Sequence, residues 1–185
     1  VSRGARCAVL ALLLVTTPSC ARTLYNFGTV AEGRVYRSGQ PSPWLLQWAV
    51  ARHGVRTLIN LRGRTPGFES HFAAQHGLRL FSFDLSATRP PSEAELGRFL
   101  GILADAENHP ILVHCKNGVD RTGYMLAMYR ISTDGWTKEQ ALAEMRRFLQ
   151  FETLNAVPAT VVRDGARTAG QEPSSGPEIT GPGDE

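Results

Sequence analysis

Residues 111–129 carry the tightest constraint in the chain. An apolar run, Ile111-Leu112-Val113, leads into His114-Cys115-Lys116-Asn117-Gly118-Val119-Asp120-Arg121-Thr122-Gly123, and a second apolar run, Tyr124-Met125-Leu126-Ala127-Met128-Tyr129, leads out. The first run predicts a buried strand and the second a helix, with a tight loop between them. Strand, loop and helix in that order aim successive backbone N–H groups, and the positive end of the helix, at a single point. Such a junction belongs at the carboxyl end of a strand in a sheet covered by helices.

The rest of the sequence supplies that sheet. Val35-Tyr36-Arg37 reads as extended and Ser38-Gly39-Gln40-Pro41 as a turn. Pro43 to His53 predicts a helix, with Pro43 in its first turn and Gly54 at its C-cap. Val55 to Leu61, bounded by Gly54 and Gly63, predicts a strand; Phe68 to Gln75 a helix ended by Gly77; and Leu78 to Leu85 a further strand. Ser92 and Glu95 form a capping box opening a helix to Glu107, Pro110 to His114 is the central strand, and Arg121 to Ile131 the helix behind it. Thr137 and Gln140 open a last helix to about Phe151. Strands alternating with helices predict an α/β domain with a mainly parallel sheet.

The ends of the chain read differently. Arg3 and Arg6 precede a short apolar run, Cys7 to Val15, and small or polar residues Thr16 to Ala21 follow. This is the layout of a secretory signal peptide, with Ser19-x-Ala21 at the cleavage point, and the run is too short to span a bilayer. The expected organisation is a signal over 1–21, one domain over 22–157 and a disordered tail over 158–185, where Pro, Gly, Ser, Thr and Glu dominate. The expected location is outside the cytoplasm, periplasmic or secreted; lipidation at Cys20 is the lesser alternative, because Thr17 and Pro18 suit that signal poorly. Residues 22–157 hold 16 basic against 12 acidic residues and the tail 2 against 5. Charge this weak and dispersed argues against a nucleic-acid partner or a polybasic membrane patch.

With Cys7 and Cys20 in the signal, Cys115 is the single thiol of the mature chain. It can form no intramolecular disulfide, and it lacks the second Cys that most thiolate metal sites need. The remaining readings are an inert buried Cys and a nucleophile. The loop favours the nucleophile: N–H groups of Lys116 to Arg121 can fold around one anion, with Gly118 supplying backbone freedom. Arg121 offers a planar fork matched to two phosphate oxygens, and Thr122 can donate its hydroxyl to the sulfur. His114 is expected as a buried ring that orients the loop through backbone hydrogen bonds. Residues of these types at this spacing arise by chance at odds on the order of one in 100,000 for such a chain, given typical residue frequencies.

The loop resembles that of the cysteine-dependent phosphatases of the protein-tyrosine and dual-specificity superfamily. The flanking segments Tyr36-Arg37-Ser38-Gly39-Gln40-Pro41, Thr57-Leu58-Ile59-Asn60-Leu61-Arg62 and Gly135-Trp136-Thr137 are similar to the compact bacterial, plant and fungal dual-specificity-like branch. The resemblance implies a three-layer fold and a two-step mechanism through a cysteinyl-phosphate, without metal or cofactor. It implies Cys115 as nucleophile, residues Lys116, Asn117, Gly118, Val119, Asp120 and Arg121 as the phosphate cradle, and an Asp on a preceding loop as the acid. Asp84, after the strand Leu80-Phe81-Ser82-Phe83, fits that role best, with Asp120 as the rival.

The substrate stays open. Phosphotyrosine-type protein esters are the leading expectation, while Lys116 and Asp120 resemble loops that also accept phosphoinositides or inositol phosphates. A rhodanese-type sulfurtransferase is disfavoured by Thr122-Gly123 after the arginine, and a phosphate-binding module without turnover is the other competing class. Arg62 and Arg64 could line the site mouth, and Arg37, Arg62 and Arg64 are each equally expected as solvated or salt-bridged surface charges. Trp44, Trp48 and Trp136 are expected in the core.

Overall fold

In a computed structural model, residues 25–148 are described. The signal-like segment 1–21, the end of the last predicted helix at Phe151 and the tail 158–185 lie outside them. Five strands, β1 (Gly28–Ala31), β2 (Val35–Ser38), β3 (Thr57–Asn60), β4 (Arg79–Ser82) and β5 (Ile111–His114), form one sheet in the order β1-β2-β5-β3-β4. Only β1 runs antiparallel; β5 lies at the centre with parallel neighbours on both sides. Ser38 and Asn60 flank His114 in register, so β2, β5 and β3 end level with one another where the loop begins.

Alternation along β5 divides the core into two. Ile111 and Val113 pack with α3 (Glu93–Ala104), α4 (Asp120–Thr133) and α5 (Lys138–Arg146) on one face of the sheet. Leu112, with Tyr36 and Leu58, packs on the other against α1 (Pro43–His53) and α2 (Gly67–Gln75). Every residue of β2, β3 and β5 is buried, as a strand covered on both faces requires. The result is the α/β architecture of helices, mainly parallel sheet and helices.

Helix ends follow local chemistry. Ser42 caps α1, whose C-cap Gly54 is left-handed at φ 65°. Both capping boxes form: Ser92 Oγ accepts the Glu95 N–H at 3.2 Å, and Thr137 Oγ1 accepts that of Gln140 at 3.3 Å. Helix α3 stops at Ala104, short of the expected Glu107. There the Asp105 carboxylate accepts the Glu107 N–H at 2.9 Å, and Asn108 Nδ2 donates to Ile102 O at 2.9 Å, diverting the chain into a 3₁₀ turn over Ala106–Asn108. Strand β4 likewise stops at Ser82, and beyond it only an isolated bridge joins Asp84 to Arg62. Trp44 departs from the expected core position: it is 42% exposed and stacks on Tyr25 and Trp48. Trp136 lies under the Arg130 guanidinium, which is 4.3 Å from its ring centroid.

Candidate active site

The loop between β5 and α4 holds Cys115 at its base, 2% exposed. Gly118 turns the chain at φ +70°, and a side chain there would come within 2.6 Å of the Ser38 carbonyl carbon and the Gly39 nitrogen. Only glycine combines that dihedral with that closeness. The loop is therefore seated on the end of β2. Its Gly118 N–H donates to Cys115 Sγ at 3.2 Å.

Burial by itself pushes the Cys115 thiol up, because it disfavours the charged form. The Thr122 hydroxyl and the backbone N–H groups of Thr122, Gly118 and Asn117 outweigh burial and hold the thiol below its ordinary range. Thr122 Oγ1 is buried without a partner in good hydrogen-bond geometry, so its effect on the sulfur is that of a nearby dipole rather than a formed bond. Its position suits a donor that engages when sulfur carries full negative charge.

The other expected residues occupy distinct places. Lys116 and Asn117 are exposed on the loop, Gly118 and Val119 are buried, and Asp120 sits half-buried in the first turn of α4, where the helix dipole favours a carboxylate. Arg121, also half-buried, extends across to Leu85, its Nη1 lying 3.5 Å from the carbonyl oxygen. That contact places the Asp84–Leu85 segment alongside Arg121. Asp84 is exposed, and its carboxylate lies over the α-carbon of Gly63, where φ is +79° and any side chain would collide with it. Among the described residues no group of three His, Cys, Asp or Glu is arranged to hold a metal, and no helix is long and apolar enough to cross a membrane.

A polar relay absent from the sequence reading supports the loop from the α2 side. His114 and Glu69 are both fully buried, with Nε2 3.0 Å from Oε1. Gln40 Nε2 donates to the second Glu69 oxygen at 2.7 Å, Arg62 Nη1 donates to Gln40 Oε1 at 2.6 Å, and the Gln40 N–H donates to Lys116 O at 2.9 Å. His114 thus orients the loop mainly through a carboxylate; its Nδ1 stands 3.5 Å from Cys115 O, too far for a strong bond. A signal for Glu69 did exist. It shares the helical face of Phe72 and Ala73, three and four residues on, so the apolar stripe of α2 carries one carboxylate inward.

Arg37 also departs from expectation. It is 1% exposed, and among the described residues no carboxylate pairs with it. Burial pushes its guanidinium down to about 10, against which the charges of Glu144 and Cys115 act upward.

Two outcomes follow from this geometry. Because the folded thiol is held low, iodoacetamide should alkylate Cys115 down to a pH below the ordinary cysteine midpoint, with the rate rising as the thiolate forms; a midpoint at or above that of free cysteine would contradict the donor arrangement. Glu69→Ala strips the carboxylate from buried His114 and Gln40 and should lower unfolding free energy by about 3 kcal/mol in urea titrations.

Comparison with known proteins agrees with this geometry. The family model described as "DSP-PTPase phosphatase fused to NAD+ Kinase" matches residues 20–164. The dual specificity protein phosphatase TpbA of Pseudomonas aeruginosa is 45% identical over 117 residues, covering 61% of this chain and 50% of that protein. Inositol diphosphatase DSP1 of Oryza sativa is 32% identical over 127 residues, covering 66% of this chain and 56% of that protein. The chain thus spans little more than half the length of these relatives. Among solved structures, P. aeruginosa TpbA superposes with a TM-score of 0.65 at 31% identity, covering 78% of this chain and 90% of that one. The catalytic core of the PP-IP phosphatase SIW14 of S. cerevisiae gives 0.67 at 24% identity, covering 76% and 84%, a likeness of fold. A buried thiol lowered by loop N–H groups, on this fold and with these matches, makes the chain a member of the DSP-PTPase family within the cysteine-dependent protein-tyrosine and dual-specificity phosphatase superfamily.

Proposed function

We propose that the chain hydrolyses phosphate monoesters of the phosphotyrosine and phosphoprotein type, through a cysteinyl-phosphate and without metal. The observation that carries this reading is the seating of Cys115 at the base of the loop, where the Gly118 N–H donates to its sulfur and, with the Asn117 and Thr122 N–H groups, favours the thiolate against burial. In the first step Cys115 Sγ attacks phosphorus, the bond to the leaving oxygen breaks, and the Asp84 carboxyl gives that oxygen its proton. Arg121 offers its fork to two of the phosphoryl oxygens as charge spreads onto them. In the second step water attacks phosphorus, Asp84 takes the water proton, and the S–P bond breaks. The Thr122 hydroxyl then donates to the departing thiolate.

A second reading keeps this chemistry and takes phosphoinositides or inositol phosphates as substrates. It is favoured by exposed Lys116 on the loop and by Arg62, whose guanidinium is bonded to Gln40, the residue that also donates to the Lys116 carbonyl. Relatives of both kinds support keeping it, since TpbA is a dual specificity protein phosphatase and DSP1 an inositol diphosphatase. Export to the periplasm or beyond is part of the proposal and rests on the layout of residues 1–21.

The reading predicts turnover of an aryl phosphate in EDTA and its loss in Cys115→Ser and Arg121→Ala; wild-type rates in either variant would overturn it. Asp84→Asn should slow turnover by about 10²-fold or more and flatten one limb of the pH profile. An unchanged profile would transfer the acid role away from Asp84, with Asp120→Asn as the next variant. Phosphopeptides assayed beside inositol phosphates decide between the substrate classes. Mass measurement of the exported product should place its first residue after Ala21, and a retained leader would refute export.

A further inference from the structure

An anion cradle has a back as well as a front. When the N–H groups of a loop turn toward one point, its carbonyls turn away from it, and each buried carbonyl then needs a donor of its own. In this loop those donors come from one short stretch near the start of the described chain. Lys116 O accepts the Gln40 N–H at 2.9 Å. Asn117 O accepts from Asn26 Nδ2 at 3.2 Å. Gly118 O accepts from Arg37 Nη2 at 2.6 Å and from the same Asn26 amide at 3.3 Å.

Two of these donors are held with unusual firmness. Asn26 is the one non-glycine residue with positive φ among the described residues, at 52°, and its amide also bonds Phe148 O at 2.9 Å. Arg37 is buried, with Phe148 covering its guanidinium at 3.7 Å from the ring centroid and its Nε without a partner. Keeping a guanidinium there, when a neutral donor could have met a carbonyl, costs desolvation, which the Phe148 ring and the Glu144 charge offset only in part, since the guanidinium is still pushed down to about 10. The Asn117 carbonyl shares its peptide plane with the Gly118 N–H, which donates to the Cys115 sulfur, and the Gly118 carbonyl shares its plane with the Val119 N–H, next along the loop.

We infer that Arg37 and Asn26 are positioning residues for the phosphate loop: they fix the carbonyls of Asn117 and Gly118 outward so that the N–H groups stay inward, and Arg37 adds a fixed positive charge behind the Cys115 thiolate. Neither touches substrate. Their action is through the loop. The inference concerns the cradle as an anion site and rests on the phosphatase reading only for its kinetic meaning.

The titratable and charged groups on the elements around the thiol are Arg37 on β2, His114 on β5, Lys116 on the loop, Asp120 and Arg121 at the start of α4, and Glu144 on α5 behind Arg37. Of these, Arg37→Met deletes the buried cation, while Asn26→Gly deletes a neutral donor and keeps a backbone able to hold positive φ. The experiment alkylates Cys115 with iodoacetamide across pH, with and without inorganic phosphate, and reads the mass of the Cys115 peptide. No turnover is needed, so failure of this inference is separable from failure of the phosphatase reading, which Cys115→Ser tests. Arg37→Met should move the alkylation midpoint to higher pH and weaken phosphate protection about tenfold or more. Asn26→Gly should weaken protection by several-fold while leaving the midpoint near that of the wild type. A merely structural role would lower melting temperature and either leave both readouts native or move them alike in the two variants, without the split between Arg37→Met and Asn26→Gly. Native protection in a folded Arg37→Met overturns the proposal, and a native midpoint there removes the electrostatic half of it. If Arg37→Met does not fold, undiminished protection in Asn26→Gly overturns the positioning role.

Discussion

A peptide plane cannot present its N–H to a ligand without presenting its carbonyl to the opposite side. Everything around residues 115–122 answers that constraint. The loop's front is free to take an anion because its back is occupied, by the Gln40 N–H, the Asn26 amide and the Arg37 guanidinium. Those three residues lie before, within and just after β2, and β2 is the parallel neighbour of β5. Gly118 packs directly on Ser38 and Gly39, so sheet register and loop shape are set together. A slip of β2 by one residue would carry Arg37 to the other face and leave the Gly118 carbonyl without its closest donor.

The placement of Cys115 shows why the support must be this complete. A thiol at 2% exposure is in surroundings that oppose its ionisation. Donors reverse that only if they are already oriented, since a loop that reorganised on ionisation would use up the stabilisation in ordering itself. Glu69 performs the corresponding task on the α2 side, where a buried carboxylate fixes His114 and Gln40 at once. Arg37 and Glu69 approach from different strands and helices, and Gln40 connects to the loop beside both.

The sequence was most legible where one residue type has one physical use. Pro43 and Gly54 bound α1 to the residue, and both capping boxes form as their side chains require. The Cys115-to-Gly123 spacing specified strand, loop and helix, because only that geometry gives those residues a common focus. It failed where a polar side chain took an unusual partner. Asp105 and Asn108 ended α3 early by bonding backbone that a helix would have used. Arg37 read as a surface charge because arginines mostly are. Its destination depends on a carbonyl 81 residues away, which no local pattern records. Trp44, expected in the core, stacks on Tyr25 at the surface instead.

Chemistry and substrate are separable for the same reason. On the proposed reading the cradle takes a phosphoryl group, and a phosphorylated side chain and an inositol phosphate would present the same group to it. Discrimination falls to side chains beyond the backbone cradle, and two cations there differ in kind. Lys116 is exposed on a flexible stem, so ordering it against a ligand forfeits rotamer entropy. Arg62 is half-buried, tied by Nη1 to Gln40 and by its backbone to Asn60 Oδ1 at 2.8 Å. Arg62 is therefore ordered before any ligand arrives, whereas Lys116 is not. Because Gln40 also donates to the Lys116 carbonyl, the residue that orders the Arg62 guanidinium is the one that helps shape the cradle.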